Sequence, residues 1–396
     1  MKCKIFLVAK KSDMLLANLM KLLLFICVSI LTTVAIFTPR ANAYPEMVRH
    51  GYSSCLACHV SPSGGGVLSE YGRELSRELL STWGAEQESQ PMYGILKFPE
   101  FATIGGDARW LQVTQSNPIQ ERGLFFNMQL DLEAALFWGN LSGVASIGRK
   151  VRVGGDSSVF SHRHFISYLY DDKIGLRFGR FYPEYGINTP NHRRFVRQFF
   201  GFNQYEETYN LEATYNTETF NVFATGIFGR FDIDPSTTDP ILAQERQDSG
   251  FALTFNYFLF EKHRLGASIK YGSLDDETRS QAALYGLLGF SKKFYVITEI
   301  NYRKQDANDP ARSKDSWGDL VQVNFEVFKG FHIYVLQQFY AGNTSSSAED
   351  QSAFGAGATF FPRPHWELNV EYQTRMVQPF PTYEDDVFYL LLHFYL

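Results

Sequence analysis

In the stretch Tyr52-Ser53-Ser54-Cys55-Leu56-Ala57-Cys58-His59-Val60-Ser61-Pro62 two thiols stand three residues apart and an imidazole follows directly. At this spacing both thiols can add to the vinyl groups of one haem while the neighbouring His reaches its iron. The pattern predicts one covalently held haem c, with Cys55 and Cys58 as attachment points and His59 as metal ligand. The same residue types admit an exported Cys55–Cys58 disulfide or a metal site, but zinc needs more nearby ligands than His50 and His59 supply. Arg49 and Arg73 flank the motif and are candidate partners for haem propionates, because guanidinium and carboxylate form bidentate charge-assisted bonds. Ordinary surface charge is the competing reading for both. For the opposite face of the iron the local candidates are Met47, His50 and Met92, and the distant ones are His332, His365 and His393.

Such a haem has to be attached outside the cytoplasm, and the first 43 residues suit export. Lys10, Lys11 and Lys21 precede an apolar run from Leu22 to Phe37, and Ala41-Asn42-Ala43 is a small-x-small cleavage pattern. Ile26 before Cys27 is too bulky for a lipoprotein signal; a retained membrane anchor is the alternative. Cleavage after Ala43 removes Cys3 and Cys27, so Cys55 and Cys58 are the thiols that remain. It also removes six basic residues and one acidic one from totals of 37 and 42, leaving 31 against 41, a net charge of about −10. That balance argues against nucleic-acid binding.

The segment that positions the motif runs from residue 44 to about 95. Ser61-Pro62-Ser63-Gly64-Gly65-Gly66 reads as a loop, and Val67, Leu68, Tyr71, Leu75, Leu79 and Leu80 recur near a helical period, which predicts a short helix against one face of a haem. A unit of this size hardly buries a core alone, so a cofactor or another domain has to complete it.

From about residue 100 the period is two. Phe126, Met128, Leu130, Leu132, Ala134, Leu136 and Trp138 alternate with Asn127, Gln129, Asp131, Glu133 and Ala135; the pattern returns at Tyr209, Leu211, Ala213 and Tyr215, and at Trp366, Leu368, Val370 and Tyr372. One face suits lipid and the other water, which is the mark of transmembrane barrels. The 36 Phe and 22 Tyr fit a lipid interface. Seven short turns, near Gly139-Asn140, Asp171-Asp172, Thr217-Glu218, Lys262-His263, Lys292-Lys293, Lys329-Gly330 and Arg363, alternate with eight longer polar loops, at 116–122, 150–159, 183–207, 230–248, 272–280, 304–316, 342–351 and 377–386. The expected fold is therefore all-β: an antiparallel transmembrane barrel of about sixteen strands over residues 96–396, with both ends on the periplasmic, short-turn side, joined to a small helical haem domain. The last strand, with Phe388, Leu390, Leu392, Phe394 and Leu396 on one face, has the form of an outer-membrane assembly signal; a soluble sandwich is the alternative.

Loop 183–207, with Asn191-His192-Arg193-Arg194-Phe195-Val196-Arg197, is placed to fold inward and constrict the lumen, or to lie exposed. Asp232, Asp234, Asp239, Glu384, Asp385 and Asp386 form acidic outer loops that can collect cations or simply be solvated.

Arg49, Gly51, Cys55, Cys58, His59, Pro62 and the stretch Leu68-Ser69-Glu70-Tyr71-Gly72-Arg73, ahead of a barrel, resemble the fused outer-membrane cytochrome-porins of iron-oxidising bacteria. The local likeness covers about thirty residues, and Ser63-Gly64-Gly65-Gly66 departs from the iron-oxidase pattern. The resemblance implies electron transfer across the outer membrane of a Gram-negative bacterium, between an extracellular redox partner or metal ion, Fe(II) among them, and a periplasmic electron carrier. An iron-oxidising oxidoreductase is the corresponding enzyme reading. The alternative is a porin or solute channel whose haem segment is a plug or anchor.

Overall fold

The computed structural model describes residues 46–52, 55–95, 98–150, 158–171, 173–230, 247–378 and 383–396. The predicted leader at 1–43 and the loop acids Asp232, Asp234 and Asp239 lie outside the described residues.

The period-two segments fold into one closed antiparallel sheet. The strands are β1 (Ala102–Ser116), β2 (Glu121–Trp138), β3 (Leu141–Lys150), β4 in two pieces (Ser158–Phe160 and His164–Tyr170), β5 (Ile174–Phe181), β6 (Thr208–Asn216), β7 (Phe220–Phe228) and β8 (Ser249–Leu259). They continue with β9 (His263–Leu274), β10 (Glu277–Gly289), β11 (Phe294–Ala307), β12 (Lys314–Phe328), β13 (Phe331–Ala341), β14 (Gln351–Phe360), β15 (Trp366–Val377) and β16 (Tyr383–Tyr395). Both pieces of β4 pair with β3, so they act as one broken strand, and sixteen strands result among the described residues. Each strand pairs with its neighbours in sequence, and β1 closes the ring on β16 in the register Asp107↔Tyr395 to Ser116↔Asp386.

The two faces separate as a lipid-facing barrel requires. On β6, Leu211 and Tyr215 are 43% and 45% exposed, while Asn210 and Glu212 on the opposite face are fully buried. Leu130, Leu132, Leu136, Phe178, Phe255, Val335 and Tyr372 continue the outer apolar belt. This belt is polar-in and apolar-out, the arrangement that lets strands cross hydrocarbon with their backbone groups paired. Among the described residues no helix is long and apolar enough to cross a membrane.

The structure corrects the strand reading in three places, one being Glu384, Asp385 and Asp386, expected in an outer loop, which lie on β16 with Asp385 buried. The residues between Leu274 and Glu277 make a two-residue hairpin, so the expected loop at 272–280 is strand nearly throughout. On β2 the register shifts where Arg109 pairs with Gln129 and Trp110 with Asn127. Met128 is the extra residue of a bulge, and beyond it the faces exchange. Phe126 and Met128 consequently pack inside, against Leu111, Val387 and Tyr389, rather than continuing the outer face with Leu130.

Residues 46–95 enter at the short-turn end and lie in the same compact unit as the barrel. Thr82 donates its backbone N–H to the Phe361 carbonyl at 2.9 Å and its hydroxyl to the Lys329 carbonyl at 2.8 Å. Arg49 donates to the Lys292 carbonyl at 2.6 Å, and Arg363 pairs with Glu88. The helix α1 (Glu70–Leu75) starts at Ser69, whose Oγ accepts from the Gly72 N–H, and widens into a π-type turn over Ser76–Leu80. Val67 and Leu68, read as helical from their spacing, instead precede the cap, and Leu68 bridges to His59.

Candidate functional site

The N-terminal segment brings its chemistry to the interior of the barrel. Cys55 and Cys58 are half-buried free thiols at either end of a short helical turn. The turn hands the chain to His59, whose backbone N–H donates to the Cys55 carbonyl at 2.9 Å. Gly72 of α1 lies so close that a Cβ there would collide with the Cys58 carbonyl, which locks the helix onto the motif. Gly64, Gly65 and Gly66 all have φ between +66° and +79°, a conformation that favours glycine. A Cβ on Gly64 would stand 3.4 Å from Cys55 Sγ and 3.8 Å from the His59 ring. Gly64 thus borders thiol and imidazole, while Gly65 and Gly66 lie against Arg163 and Glu133.

The space beside the motif is a cavity of about 300 Å³, lined by Cys55, Cys58 and His59 from the plug, by Arg109 and His393 from the barrel wall, and by His192 from the inward loop. It stands at the lower end of the ~300–1,000 Å³ typical of small-molecule pockets. Burial pushes the Cys55 thiol up to about 11 and the Cys58 thiol up to about 12, so both are neutral. Burial also holds His59 down at about 4, leaving a neutral imidazole with a lone pair to offer. His59 Nδ1 is buried and lacks a hydrogen-bond partner. Two untied thiols, a neutral imidazole and a clear space in front of them fit a covalently attached haem. Among the described residues no three His, Cys, Asp or Glu side chains cluster as metal ligands.

The other sequence-predicted residues are distributed differently. Arg49 is fully buried, 2.8 Å from Glu326 and 5.0 Å above the Tyr295 ring. Arg73 donates to the Leu68 carbonyl at 2.9 Å and to Thr103 Oγ1 at 3.2 Å. Neither belongs to the cavity wall; both fasten the segment to itself and to the barrel. Met47 does reach the cavity, from a cluster with Leu75, Leu80 and Phe361. His50 lies beside Arg49 and Lys292, away from the cavity wall, and burial lowers it to about 4. His365 is fully buried with its Nε2 2.7 Å from the Glu88 carbonyl, and His332 packs on Tyr295 and Phe361. His393 faces the cavity with both ring nitrogens occupied, 2.7 Å from Glu367 and 2.8 Å from Asp107. The side chain of Met92 lies outside the described residues.

The loop between β5 and β6 folds inward, as expected for one of the two alternatives. Its helix α2 (Phe195–Gln198) buries Phe195 and Val196, and Phe200 just beyond it joins them, against Tyr285, Leu287, Ile297 and Leu320 of the wall. Arg194 forms a two-point ion pair with Glu371 at 2.7 and 3.0 Å. Asn188 Nδ2 donates to the Ser63 carbonyl at 3.0 Å, so loop and plug meet beside the motif. Arg177 of β5 reinforces that junction by donating to Ser61 and Ser63 while pairing with Glu212 at 2.6 Å.

Sequence reasoning did not single out the cavity's own cations, Arg109, Arg163, Arg197 and Arg264. Arg109 pairs with Asp107, Arg163 with Glu133, and Arg264 with Glu184. Arg197 donates to the Ile187 carbonyl and has no carboxylate partner among the described residues. Strand parity flags the inward guanidiniums of β1 and β9; that of Arg197 depends on how the loop folds.

No protein-family model matches the chain, and no characterised relative does. Solved structures do. OmpT of Vibrio cholerae superposes with a TM-score of 0.57 at 11% identity, covering 76% of this chain and 100% of that one. The fold is that of the outer-membrane β-barrels. The outer membrane channel DcaP of Acinetobacter baumannii superposes with a TM-score of 0.53 at 14% identity, covering 74% of this chain and 97% of the channel. An anion-selective porin from Comamonas acidovorans gives 0.55 at 9%, covering 74% and 99%. About a quarter of this chain lies outside each superposition, although the other proteins are covered almost whole.

Proposed function

We propose that the chain is an outer-membrane barrel of a Gram-negative bacterium whose lumen is closed by its own N-terminal segment, which carries one covalent haem c, and that it passes electrons rather than solutes. The net event is loss of one electron by an extracellular donor, Fe(II) being one candidate, and gain of one electron by a periplasmic carrier. The observation that carries this reading is the burial of the lumen face. Asn210, Glu212, Thr254, Asn256 and Asn301 point inward and have no exposed surface, because plug and loop fill the space that a water-filled pore leaves open.

Cys55 and Cys58 hold the cofactor through thioether bonds, His59 binds its iron on one face, and Arg197, the cavity cation without a carboxylate partner, takes a propionate. A haem held there supplies a one-electron couple. The chain's own part is to exclude water and to set the cofactor inside the barrel. That placement shortens the path across an apolar band ~25 Å tall.

A second reading, a solute channel whose haem segment is a plug or anchor, draws on the porins and channels that share the fold. Liposomes with a redox dye inside separate the two. The loaded protein passes electrons to an outside couple, and the Cys55→Ser variant does not. Equal rates in both overturn the electron-transfer reading, and a large ion conductance indifferent to haem reduction supports the channel.

A further inference from the structure

Resting on the haem reading above, we infer that His192, at the tip of the inward-folded loop, is the second axial ligand of the iron held by His59. Three imidazoles besides His59 line the cavity, those of His162, His192 and His393. His393 is clamped between Glu367 and Asp107. His162 lies 3.3 Å from Glu207 and 3.4 Å from Asp131 and stacks on Tyr205 at 5.1 Å. His192 alone of the three has neither a hydrogen bond nor an ion pair among the described residues. An imidazole that lines the same cavity as Cys55, Cys58 and His59 and is left without polar partners is available for iron, and neutral imidazole is the ligating form.

The loop that carries His192 is fixed at both sides of it. Asn188, four residues earlier, bonds the Ser63 carbonyl next to Gly64, which borders Cys55 and His59. Arg193, next in sequence, lies 3.6 Å above the Tyr389 ring, and Arg194 is locked to Glu371. The position of His192 is therefore built rather than free to wander, as an axial ligand requires. The charges around both imidazoles overlap. Asp107 and Arg163 act on His59, while Arg109, the salt-bridge partner of Asp107, acts on His192 together with Arg193, Arg197 and Glu207. The two rings thus share one electrostatic neighbourhood at the wall of one cavity. Met47, the thioether on that wall, packs among Leu75, Leu80 and Phe361 and is the rival ligand.

The test is visible and magnetic circular dichroism spectroscopy of the full-length, haem-loaded protein in detergent, for wild type, His192→Ala, His192→Gln and Met47→Leu. The inference predicts a six-coordinate low-spin bis-imidazole iron in wild type and in Met47→Leu. It predicts loss of that signature in both His192 variants with covalent haem content unchanged, and its return in His192→Ala on adding free imidazole. Heat-modifiable gel migration shows that each variant is folded, and His192→Gln serves if the alanine variant is not. Low-spin spectra that persist in the folded His192 variants, or a thioether signature lost in Met47→Leu, overturn the inference and leave the haem reading standing. Wild-type protein without covalent haem overturns the haem reading itself.

Discussion

Two segments fill this barrel, and they are fastened in different ways. The loop between β5 and β6 sinks Phe195, Val196 and Phe200 into the largest apolar cluster among the described residues and adds the buried Arg194–Glu371 pair. The N-terminal segment puts single residues into wall clusters, Val48 into that one and Val67 beside Ala135, Val144, Phe165 and Phe181, pairs the buried Arg49 with Glu326, and adds hydrogen bonds to the carbonyls of short turns at Lys292, Lys329 and Phe361. Apolar burial and desolvated ion pairs integrate the loop into the wall. The plug has fewer such contacts, leans more on turn carbonyls, and contributes no strand to the closed ring. The loop is thus part of the barrel, and the plug is an insert set into it.

The largest effect expected from this contrast is on permeation. Deleting residues 46–95 should leave a folded barrel that conducts ions in planar bilayers where the intact protein is closed; a deletion variant that fails to fold would show that the plug too is integral. Next comes the loop anchor. Arg194→Met leaves Glu371 buried without its partner and should lower the unfolding free energy in urea by about 3–5 kcal/mol. The double variant with Glu371→Leu should recover most of that loss. A smaller and local change is expected at Gly66, where a Cβ would stand 2.5 Å from Glu133 Oε2 and φ is +66°. Gly66→Ala should cost roughly 1–2 kcal/mol of plug seating from the left-handed backbone alone, seen as faster proteolysis within 46–95 at an unchanged barrel unfolding midpoint. At the rim, Arg312→Ala removes an exposed contact with Asp276 and should leave both measurements where they were.

The wall was legible in the sequence because a strand that is wet on one side and in lipid on the other has to alternate. Leu211, Tyr215, Asn210 and Glu212 fell on the faces their chemistry predicts, and the seven short turns mark the hairpins seen. A bulge leaves the composition unchanged, so the inward turn of Phe126 and Met128 was invisible. Residues 272–274 and 277–280 read as part of a loop because polar strand ends beyond the membrane look like loop residues. At the site, the spacing of Cys55, Cys58 and His59 marked them as candidates, and the structure brings all three to one cavity wall. Arg49 and Arg73 were chosen for nearness in sequence, but their guanidiniums serve packing contacts. Residues more than a hundred positions away, His192 and Arg197, reach the cavity because loop 183–207 takes the inward one of its two expected courses, but no local pattern announces which of its side chains meet the motif.

The central claim is that this barrel carries a covalent haem in its lumen. It is tested most directly by the reduced-minus-oxidised visible spectrum of the purified chain, recorded before and after denaturation and extraction with acidified acetone. A c-type spectrum that stays with the denatured polypeptide in wild type and is lost in the Cys55→Ser, Cys58→Ser double variant is the predicted result. A wild-type chain without a haem band, or a band that leaves with the solvent, would contradict it.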